Sequence, residues 1–273
     1  MQFQRILNGF LISIDLCKNR LKNIIAISFL LASSLLLFGC QKEEKVHLTV
    51  SAAASMTDAM KEISKEYQKL HPEVSLSFNF GSSGVLKQQI MQGAPVDVFM
   101  AADEKHVEAL IEEGSIKKED FKKLVSNELM LVASPSHKVK TLREIQRLQR
   151  ISIGTPETVP AGRYAKEVLE NEHMWEELKS KLIFAKDVKH VLSLVESGNV
   201  DAGFVYKSDL VSIKKELETV PIDHHLYTKI LYSGGVIKHS FQYEEAKRFL
   251  EFLTTDAARH IFRKHGFTDV GRE

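Results

Sequence analysis

Residues 51–70 read SAAASMTDAMKEISKEYQKL, and this stretch indicates a strand end, a turn and an amphipathic helix. The preceding residues 46–50 are VHLTV, a short β-branched run typical of a strand. Met60 and Ile63 then begin an apolar pattern at helical spacing. Ser55 lies at the turn, where a serine can cap the helix and where free backbone N–H groups favour an anion. For one serine taken alone, a plain helix cap is the simpler interpretation.

The succession of strand, turn and helix recurs along the chain. Predicted strands end shortly before Ser83, Ala161 and Val188, and Tyr206 is the last residue of another. Strands that alternate with helices favour a mostly parallel sheet, and ligands of such open sheets collect beyond the carboxyl ends of the strands. These four positions and Ser55 are therefore candidates for one shared site.

Apolar runs and glycine stops predict the remaining elements. Strands are expected at residues 74–80, 96–103, 128–133, 151–154, 182–185, 201–206 and 230–237. Helices are expected at residues 85–92, 104–113, 141–148 and 163–170, from residue 188 onward, and twice between residues 243 and 264. The pattern is that of an α/β protein without tandem repeats.

The first forty residues indicate export. Basic residues precede the uncharged run 24–39, which ends in Leu-Phe-Gly before Cys40. This run is shorter than the roughly 20 apolar residues of a membrane-spanning helix, so it predicts a signal peptide at residues 1–39. Its end resembles a bacterial lipoprotein signal, which implies lipid on Cys40 and a tether at residues 40–45. An uncleaved anchor is the alternative, and it leaves the globular part on the same side of the membrane.

The charge balance of the exported part excludes some classes of function. Residues 1–39 hold four of the 37 basic and one of the 36 acidic residues, which leaves 33 basic and 35 acidic residues. Such a chain lacks the basic excess of a nucleic-acid-binding protein. Cys17 is removed with the signal, so Cys40 has no partner for an intrachain disulfide. The protein must therefore rely on a packed core.

Signatures of catalysis are missing from the sequence. There is no Gly-x-Gly-x-x-Gly, no phosphate-binding lysine loop, no Gly-x-Ser-x-Gly and no Ser-x-x-Lys that begins at Ser55 or Ser83. His224 and His225 are adjacent and are expected to point apart. The aspartates are scattered, with no pair that suggests an acid and a base: Asp58, Asp97, Asp103, Asp187 and Asp209. We expect no enzyme, because the alternative of a serine nucleophile needs a histidine or lysine base that no motif supplies.

Five phrases in sequence order resemble the molybdate-binding proteins of ABC uptake systems. They are AAASMTDAM at residues 52–60, GSSG at 81–84, GAPVDVF at 93–99, VPAGRYA at 159–165 and GFVYKSD at 203–209. The resemblance extends over nearly all of residues 46–270. Each phrase alone is weak, and their common order makes the resemblance specific.

The resemblance implies an α/β fold of the type II periplasmic-binding-protein kind. Two lobes are expected, each a mixed, mostly parallel sheet flanked by helices, with the ligand in the cleft between the lobes. Residues 46–127 and 231–273 are expected in lobe 1, and residues 128–230 in lobe 2. Closure about the two crossings would bring donors of both lobes to one ion.

The resemblance also implies the contacts to a tetrahedral oxyanion, molybdate or tungstate. In lobe 1, Ser55 and Ser83 are expected to donate through hydroxyl and backbone N–H groups. In lobe 2, Ala161 and Val188 are expected to donate through backbone N–H groups, and Tyr206 through its hydroxyl. No residue is expected to coordinate a metal cation directly.

Residues next to these contacts are assigned other roles. Ser83 is preferred over Ser82 because it is expected to lie immediately before a helix. Arg163 and Lys207 are expected to be solvated outside the cleft, because neutral donors hold an anion without a buried cation. A site made only of donors disfavours a protonated phosphate, whereas sulfate differs from molybdate only in size. A receptor for another oxyanion such as sulfate is therefore the alternative.

The function expected from the sequence is that of a lipid-anchored receptor outside the cytoplasm. It would bind molybdate or tungstate as a monomer and deliver the ion to an ABC permease in the membrane. The lipid on Cys40 would hold it at the membrane surface. Neither a cofactor nor a nucleic-acid partner is expected.

Overall fold

The computed structural model describes Ser28 and residues 45–213 and 215–271. The chain divides into two units, Met1–Glu44 and Lys45–Glu273, and every element below belongs to the second. The predicted signal peptide, apart from Ser28, and the predicted lipid site at Cys40 lie outside the described residues. Across the described residues, no helix combines the length and the apolar composition of a membrane span.

The second unit alternates strands and helices. Its strands are β1 (Val46–Ala53), β2 (Val74–Gly81), β3 (Val98–Ala101), β4 (Ile116–Asn127), β5 (Leu129–Ala133), β6 (Ile151–Gly154), β7 (Leu182–Ala185), β8 (Ala202–Tyr206), β9 (Glu218–Pro221), β10 (Ile230–Ile237) and β11 (Thr268–Asp269). Its α-helices are α1 (Thr57–Leu70), α2 (Ser83–Met91), α3 (Lys105–Glu113), α4 (Pro160–Asn171), α5 (Trp175–Leu178), α6 (Val188–Glu196), α7 (Lys207–Leu210), α8 (Tyr243–Phe252) and α9 (Asp256–Lys264). Short 3-10 helices lie at Ala54–Met56, Leu142–Arg147, Lys179–Lys181 and His224–Leu226.

Two mixed sheets form the frame of the unit. The strand order is β11-β4-β10-β3-β1-β2 in the six-stranded sheet and β7-β6-β8-β5-β9 in the five-stranded sheet. Parallel pairs join β1 to β2 and β3, and β6 to β7 and β8. The remaining pairs are antiparallel. Each sheet is therefore mixed rather than mostly parallel. The candidate residues follow or end strands that belong to the parallel pairs, namely β1, β2, β6, β7 and β8.

The chain passes between the two sheets twice. β4 of the six-stranded sheet ends at Asn127, and β5 of the five-stranded sheet begins at Leu129. The return lies between Pro221, where β9 ends, and Ile230, where β10 begins. Because one crossing leaves the six-stranded sheet and the other returns to it, β4 and β10 run in opposite directions and pair antiparallel.

Two helices begin ahead of their predicted starts. α2 begins at Ser83, and α4 begins at Pro160. Proline is tolerated at the first helical position, because an N–H group there would have no intrahelical partner. The helix predicted at residues 141–148 is a 3-10 helix over Leu142–Arg147.

The sequence does not predict β4, although it is the longest strand among the described residues. Its residues, IKKEDFKKLVSN, are rich in lysine and lack a regular apolar alternation. The pairing of β4 with β10 shifts register twice, at Tyr232/Ser233 and at Gly235/Ile237. A bulged strand does not keep the period of two by which strands are found in a sequence.

The apolar face of α1 packs as its spacing predicts. Met60, Ile63 and Tyr67 are fully buried. The Tyr67 ring lies edge-on to Phe249 of α8, with a centroid distance of 5.0 Å, and its hydroxyl donates to the buried Glu245 at 2.5 Å. These contacts fix the helix that follows the first candidate turn.

Candidate functional site

All five predicted ligand positions line one small cavity. Ser55 and Ser83 follow strands of the six-stranded sheet, whereas Ala161, Val188 and Tyr206 follow or end strands of the five-stranded sheet. The centre of a water-sized sphere can occupy about 10 Å³ of the space among them. Such a space holds one compact group rather than a sugar or a peptide.

Ser55 reaches the cavity from a 3-10 turn, not from a helix cap. The turn Ala54–Met56 separates β1 from α1, and the capping position of α1 is Met56. The simpler alternative, that Ser55 is a plain cap of this helix, is therefore wrong. Its hydroxyl lies 2.7 Å from the hydroxyl of Tyr232, within hydrogen-bond distance.

Ser82 and Ser83 both line the cavity at the start of α2. Ser82 holds the capping position, and Ser83 is the first helical residue, so the prediction that Ser83 precedes the helix is wrong. The Oγ of Ser83 accepts the backbone N–H of Ala102 at 3.0 Å, which leaves its own hydroxyl hydrogen for a ligand. The Oγ of Ser82 is buried and has no hydrogen-bond partner within the described residues.

Two helix N-termini supply backbone donors from the other side. Ala161 is the second residue of α4, and Val188 is the first residue of α6. The first N–H groups of a helix have no intrahelical partner, so those of Ala161 and Val188 are available to a ligand. Asp187, whose carboxylate caps α6, also lines the cavity. Its Oδ1 accepts the N–H of His190 at 2.8 Å.

Gly162 allows α4 to begin close to β6. A Cβ at residue 162 would lie 1.9 Å from the carbonyl oxygen of Gly154, so any side chain there would push the two backbones apart. The displacement would carry the neighbouring Ala161 N–H away from the cavity.

Tyr206 ends β8 with its side chain buried in the protein. Its hydroxyl has no hydrogen-bond partner within the described residues. Burial raises the pKa of this hydroxyl well above its ordinary value, so it stays a neutral O–H donor. A buried hydroxyl without a partner costs about 1–3 kcal/mol, and a ligand acceptor in the cavity would remove that cost.

No Lys, Arg or His side chain lines the cavity in the described part of the chain. Lys207 is exposed to solvent, as predicted, and it pairs with Glu128 at 2.8 Å. Arg163 lies outside the cavity, as predicted, but its side chain is half-buried rather than fully solvated. Its guanidinium lies 3.4 Å from the buried Asp103 and 4.2 Å from the centre of the Tyr164 ring. The first turn of α4 faces the segment after β3, which brings these groups together.

The hydrogen-bond network behind Ser55 cannot be predicted from the sequence. Tyr232 lies 177 positions later in the chain, and Asn127 donates to its hydroxyl at 3.3 Å. The same Asn127 amide donates to Ser208 at 2.8 Å. Contacts between residues so far apart in sequence leave no local pattern.

Two other groups of residues differ from expectation. Asp58 and Asp209 are not scattered, since both lie near Lys189, at 2.9 Å and 3.7 Å. His224 and His225 do not point apart, since their ring centroids lie 4.2 Å from each other. A 3-10 turn carries the two histidines, and neighbours in such a turn need not alternate as they do in a strand.

Comparison with known proteins places the chain in a family. The sequence profile of bacterial extracellular solute-binding proteins matches residues 48–268. The chain belongs to this family. YvgL of Bacillus subtilis, a candidate substrate-binding lipoprotein of an ABC transporter, is 42% identical over 249 residues, which cover 87% of this chain and 95% of YvgL. The molybdate-binding protein ModA of Haemophilus influenzae is 34% identical over 258 residues, which cover 91% of this chain and 99% of ModA.

A solved structure extends the comparison to the fold of this solute-binding protein. The substrate-binding domain of a candidate molybdenum ABC transporter from Clostridium difficile is 43% identical and superposes with a TM-score of 0.65. The match covers 83% of this chain and 100% of that chain. The predicted α/β fold and the predicted class of protein are confirmed.

Asp209 is expected to make the stability of this solute-binding protein depend on pH. Burial raises the pKa of its carboxyl from 3.8 to about 6, although the nearby Lys189 ammonium opposes the shift. Between these two values the folded state binds more protons than the unfolded state. The contribution of Asp209 to stability is therefore present below the lower pKa and lost above the higher one.

Asp209→Asn should remove this dependence. The unfolding free energy of the variant, relative to the wild type, should rise by up to about 3 kcal/mol between about pH 4 and pH 7. Urea unfolding across this range measures the difference, in which the titration of all other carboxyl groups cancels. A difference that stays constant with pH would contradict the raised pKa.

Proposed function

We propose that this solute-binding protein is the receptor of an ABC transporter for molybdate or tungstate. The observation that carries the proposal is the Tyr206 hydroxyl, a buried and neutral donor without a partner in the described part of the chain. It lines one cavity with Ser55, Ser83 and the N-termini of α4 and α6. A fully deprotonated tetrahedral oxyanion can accept from all of these donors. The relationship to ModA, named as molybdate-binding, supports the same ligand.

The two sheets with their helices are proposed to be two lobes that close on the ion. Lobe 1 would consist of residues 46–127 and 231–273, and lobe 2 of residues 128–230. The donors come from turns after strands of both sheets, so a full set surrounds the ion only when the lobes meet. Binding would then favour the closed form by the affinity difference between the two forms.

The chemistry of the cavity favours a dianion that carries no proton. A protonated phosphate would place its own O–H against a donor. Among the described residues, only Asp187 brings a carboxylate to the cavity, and it already accepts an N–H group. Sulfate is a dianion of the same shape and smaller size. Discrimination against sulfate would therefore depend on how well the donors reach a smaller ion.

Titration calorimetry with molybdate, tungstate and sulfate tests the proposed ligand. We expect molybdate and tungstate to bind at one site per molecule, and sulfate to bind at least about tenfold more weakly, which is about 1.4 kcal/mol. Phosphate near neutral pH serves as the protonated control. Equal or tighter binding of sulfate would make sulfate the ligand. The absence of binding heat with all three oxyanions would contradict the proposed function as an oxyanion receptor.

Location and partners follow from the same proposal. Lipid on Cys40 would hold the protein at the outer side of the membrane as a monomer, close to the permease that receives the ion. No catalytic role is proposed, because the hydroxyls of Ser55 and Ser83 contact Tyr232 and a backbone N–H group rather than a base. A fluorophosphonate probe should therefore leave both serines unlabelled.

A further inference from the structure

One ammonium group joins the two sides of the cavity. Lys189 directly follows Val188 in α6, and its Nζ lies 2.9 Å from Oδ2 of Asp58. Asp58 lies in the first turn of α1, shortly after Ser55. The ion pair therefore connects the helix after β1 in the six-stranded sheet to the helix after β7 in the five-stranded sheet.

The same ammonium also contacts the segment that carries Tyr206. Its Nζ lies 3.7 Å from Oδ1 of Asp209, whose side chain is fully buried. The other oxygen of Asp209 accepts the backbone N–H of Tyr206 at 3.0 Å. Lys189 thus links the segments of Ser55, Val188 and Tyr206, which are three of the five proposed donors.

A second ion pair repeats this arrangement beside the other two donors. Arg163 lies two residues after Ala161, and its guanidinium is 3.4 Å from Oδ2 of Asp103. Asp103 directly follows Ala102, whose N–H group bonds to the Oγ of Ser83. This pair joins the start of α4 to the segment after β3.

Both acidic partners are ionised at neutral pH. Partial burial raises the pKa of Asp58, but the hydrogen bond and charge of Lys189, together with the Ser212 hydroxyl, hold it below its ordinary value. Deeper burial raises the pKa of Asp103, but His106 and Arg163 hold it below its ordinary value. Ion pairs that are partly removed from water are screened less by salt than pairs on the open surface.

We propose that Lys189 and Arg163 are positioning residues that hold the two sides of the anion site together through Asp58 and Asp103. Neither cation lines the cavity, so neither contacts the ion. Each pair joins a residue on the six-stranded-sheet side to a residue on the five-stranded-sheet side, so it forms only when the two sides meet. The pairs therefore stabilise the closed form and slow the release of the ligand.

This inference rests on the proposed function, and the release rate of bound ⁹⁹Mo-molybdate after a chase with unlabelled molybdate tests it. Lys189→Met should release molybdate about tenfold faster than the wild type, with a much smaller change in the association rate. Lys189→Arg keeps the charge and should restore most of the slow release. Added NaCl should speed release from the wild type more than from Lys189→Met.

Two variants separate positioning from a general loss of structure. Arg143→Met removes a 2.6 Å ion pair with Glu172 that lies on the five-stranded-sheet side alone, and it should leave the release rate unchanged. Asp58→Asn should speed release in the wild type but add little in the Lys189→Met background, because both changes remove one pair. Additive effects, or a Lys189→Met release rate equal to that of the wild type, would overturn the proposal.

A measurement without ligand keeps this test distinct from the test of the proposed function. Small-angle X-ray scattering of the ligand-free protein should give a larger radius of gyration for the variant Lys189→Met, Arg163→Met than for the wild type. This result does not depend on which oxyanion binds. If wild-type protein bound no oxyanion and the variant still opened, the ligand assignment would be wrong and the positioning role would stand. An unchanged radius would overturn the positioning role.

Discussion

The double variant Ser55→Ala, Tyr206→Phe is expected to bind molybdate about 100- to 10,000-fold more weakly than the wild type. Each substitution removes one hydrogen bond to a charged ligand, which contributes about 1.5–3 kcal/mol, and each 1.4 kcal/mol is about tenfold in affinity. The Tyr206 hydroxyl has no partner in the described part of the chain, so its removal breaks no internal bond. Removal of the Ser55 hydroxyl leaves that of Tyr232 with Asn127.

Titration calorimetry measures the change, and a matched double variant controls for it. Ser75→Ala combined with Tyr243→Phe makes the same chemical changes in β2 and α8, at residues that do not line the cavity, and should keep wild-type affinity. Tyr206→Phe alone should not lower the unfolding temperature, since it removes an unsatisfied buried group. Wild-type affinity in the Ser55→Ala, Tyr206→Phe protein would remove both residues from the site.

Gly84→Ala is expected to weaken molybdate binding by at least about tenfold while the stability of the protein is kept. A Cβ at residue 84 would lie 2.7 Å from the carbonyl oxygen of Thr158, which already accepts the N–H of Gly84 at 2.9 Å. Gly84 belongs to α2 on the six-stranded-sheet side, and Thr158 precedes α4 on the other side. The extra methyl group would therefore keep the two sides apart, and the ligand donors with them.

Stability distinguishes this effect from ordinary misfolding. Alanine is favoured over glycine within a helix by about 1 kcal/mol, and an open form relieves the contact with Thr158, so the unfolding temperature without ligand should not fall. Val85→Ala, at the exposed next residue of α2, is the control and should retain affinity. Calorimetry of both variants measures their affinity for molybdate, and thermal unfolding measures their stability. Unchanged affinity in Gly84→Ala would show that the two sides need not approach this closely.

The sequence predicts elements well where its pattern is local. Residues 151–154, 182–185 and 230–237 are strands with the predicted limits, because each is a short apolar run with clear breaks. The predicted start of α4 lies too late, because Pro160 is typical of a loop as well as of a first helical position. β4 is not predicted, because its bulges and lysines obscure the alternation of apolar and polar residues.

For the candidate site, the residues that line the cavity could be predicted from the sequence, whereas the residues that contact them could not. The resemblance named Ser55, Ser83, Ala161, Val188 and Tyr206, and the structure brings all five to one cavity. The residues that contact these five are not predicted from the sequence. Tyr232 and Asn127 lie far in sequence from Ser55, and Lys189, although it follows Val188, pairs with Asp58 at a separation of 131 positions, so only the folded structure reveals these contacts.

Ser82 and Tyr206, whose hydroxyls have no partner among the described residues, suggest how a transporter could distinguish loaded from empty receptors. Closure around an empty cavity leaves the hydroxyls of Ser82 and Tyr206 unsatisfied unless water enters, at a cost of about 1–3 kcal/mol each. Each unsatisfied hydroxyl would then lower the ratio of closed to open forms roughly 5- to 150-fold, relative to a cavity in which that hydroxyl has a partner. A permease that accepts only the closed shape would spend few ATP-driven cycles on receptors that carry nothing.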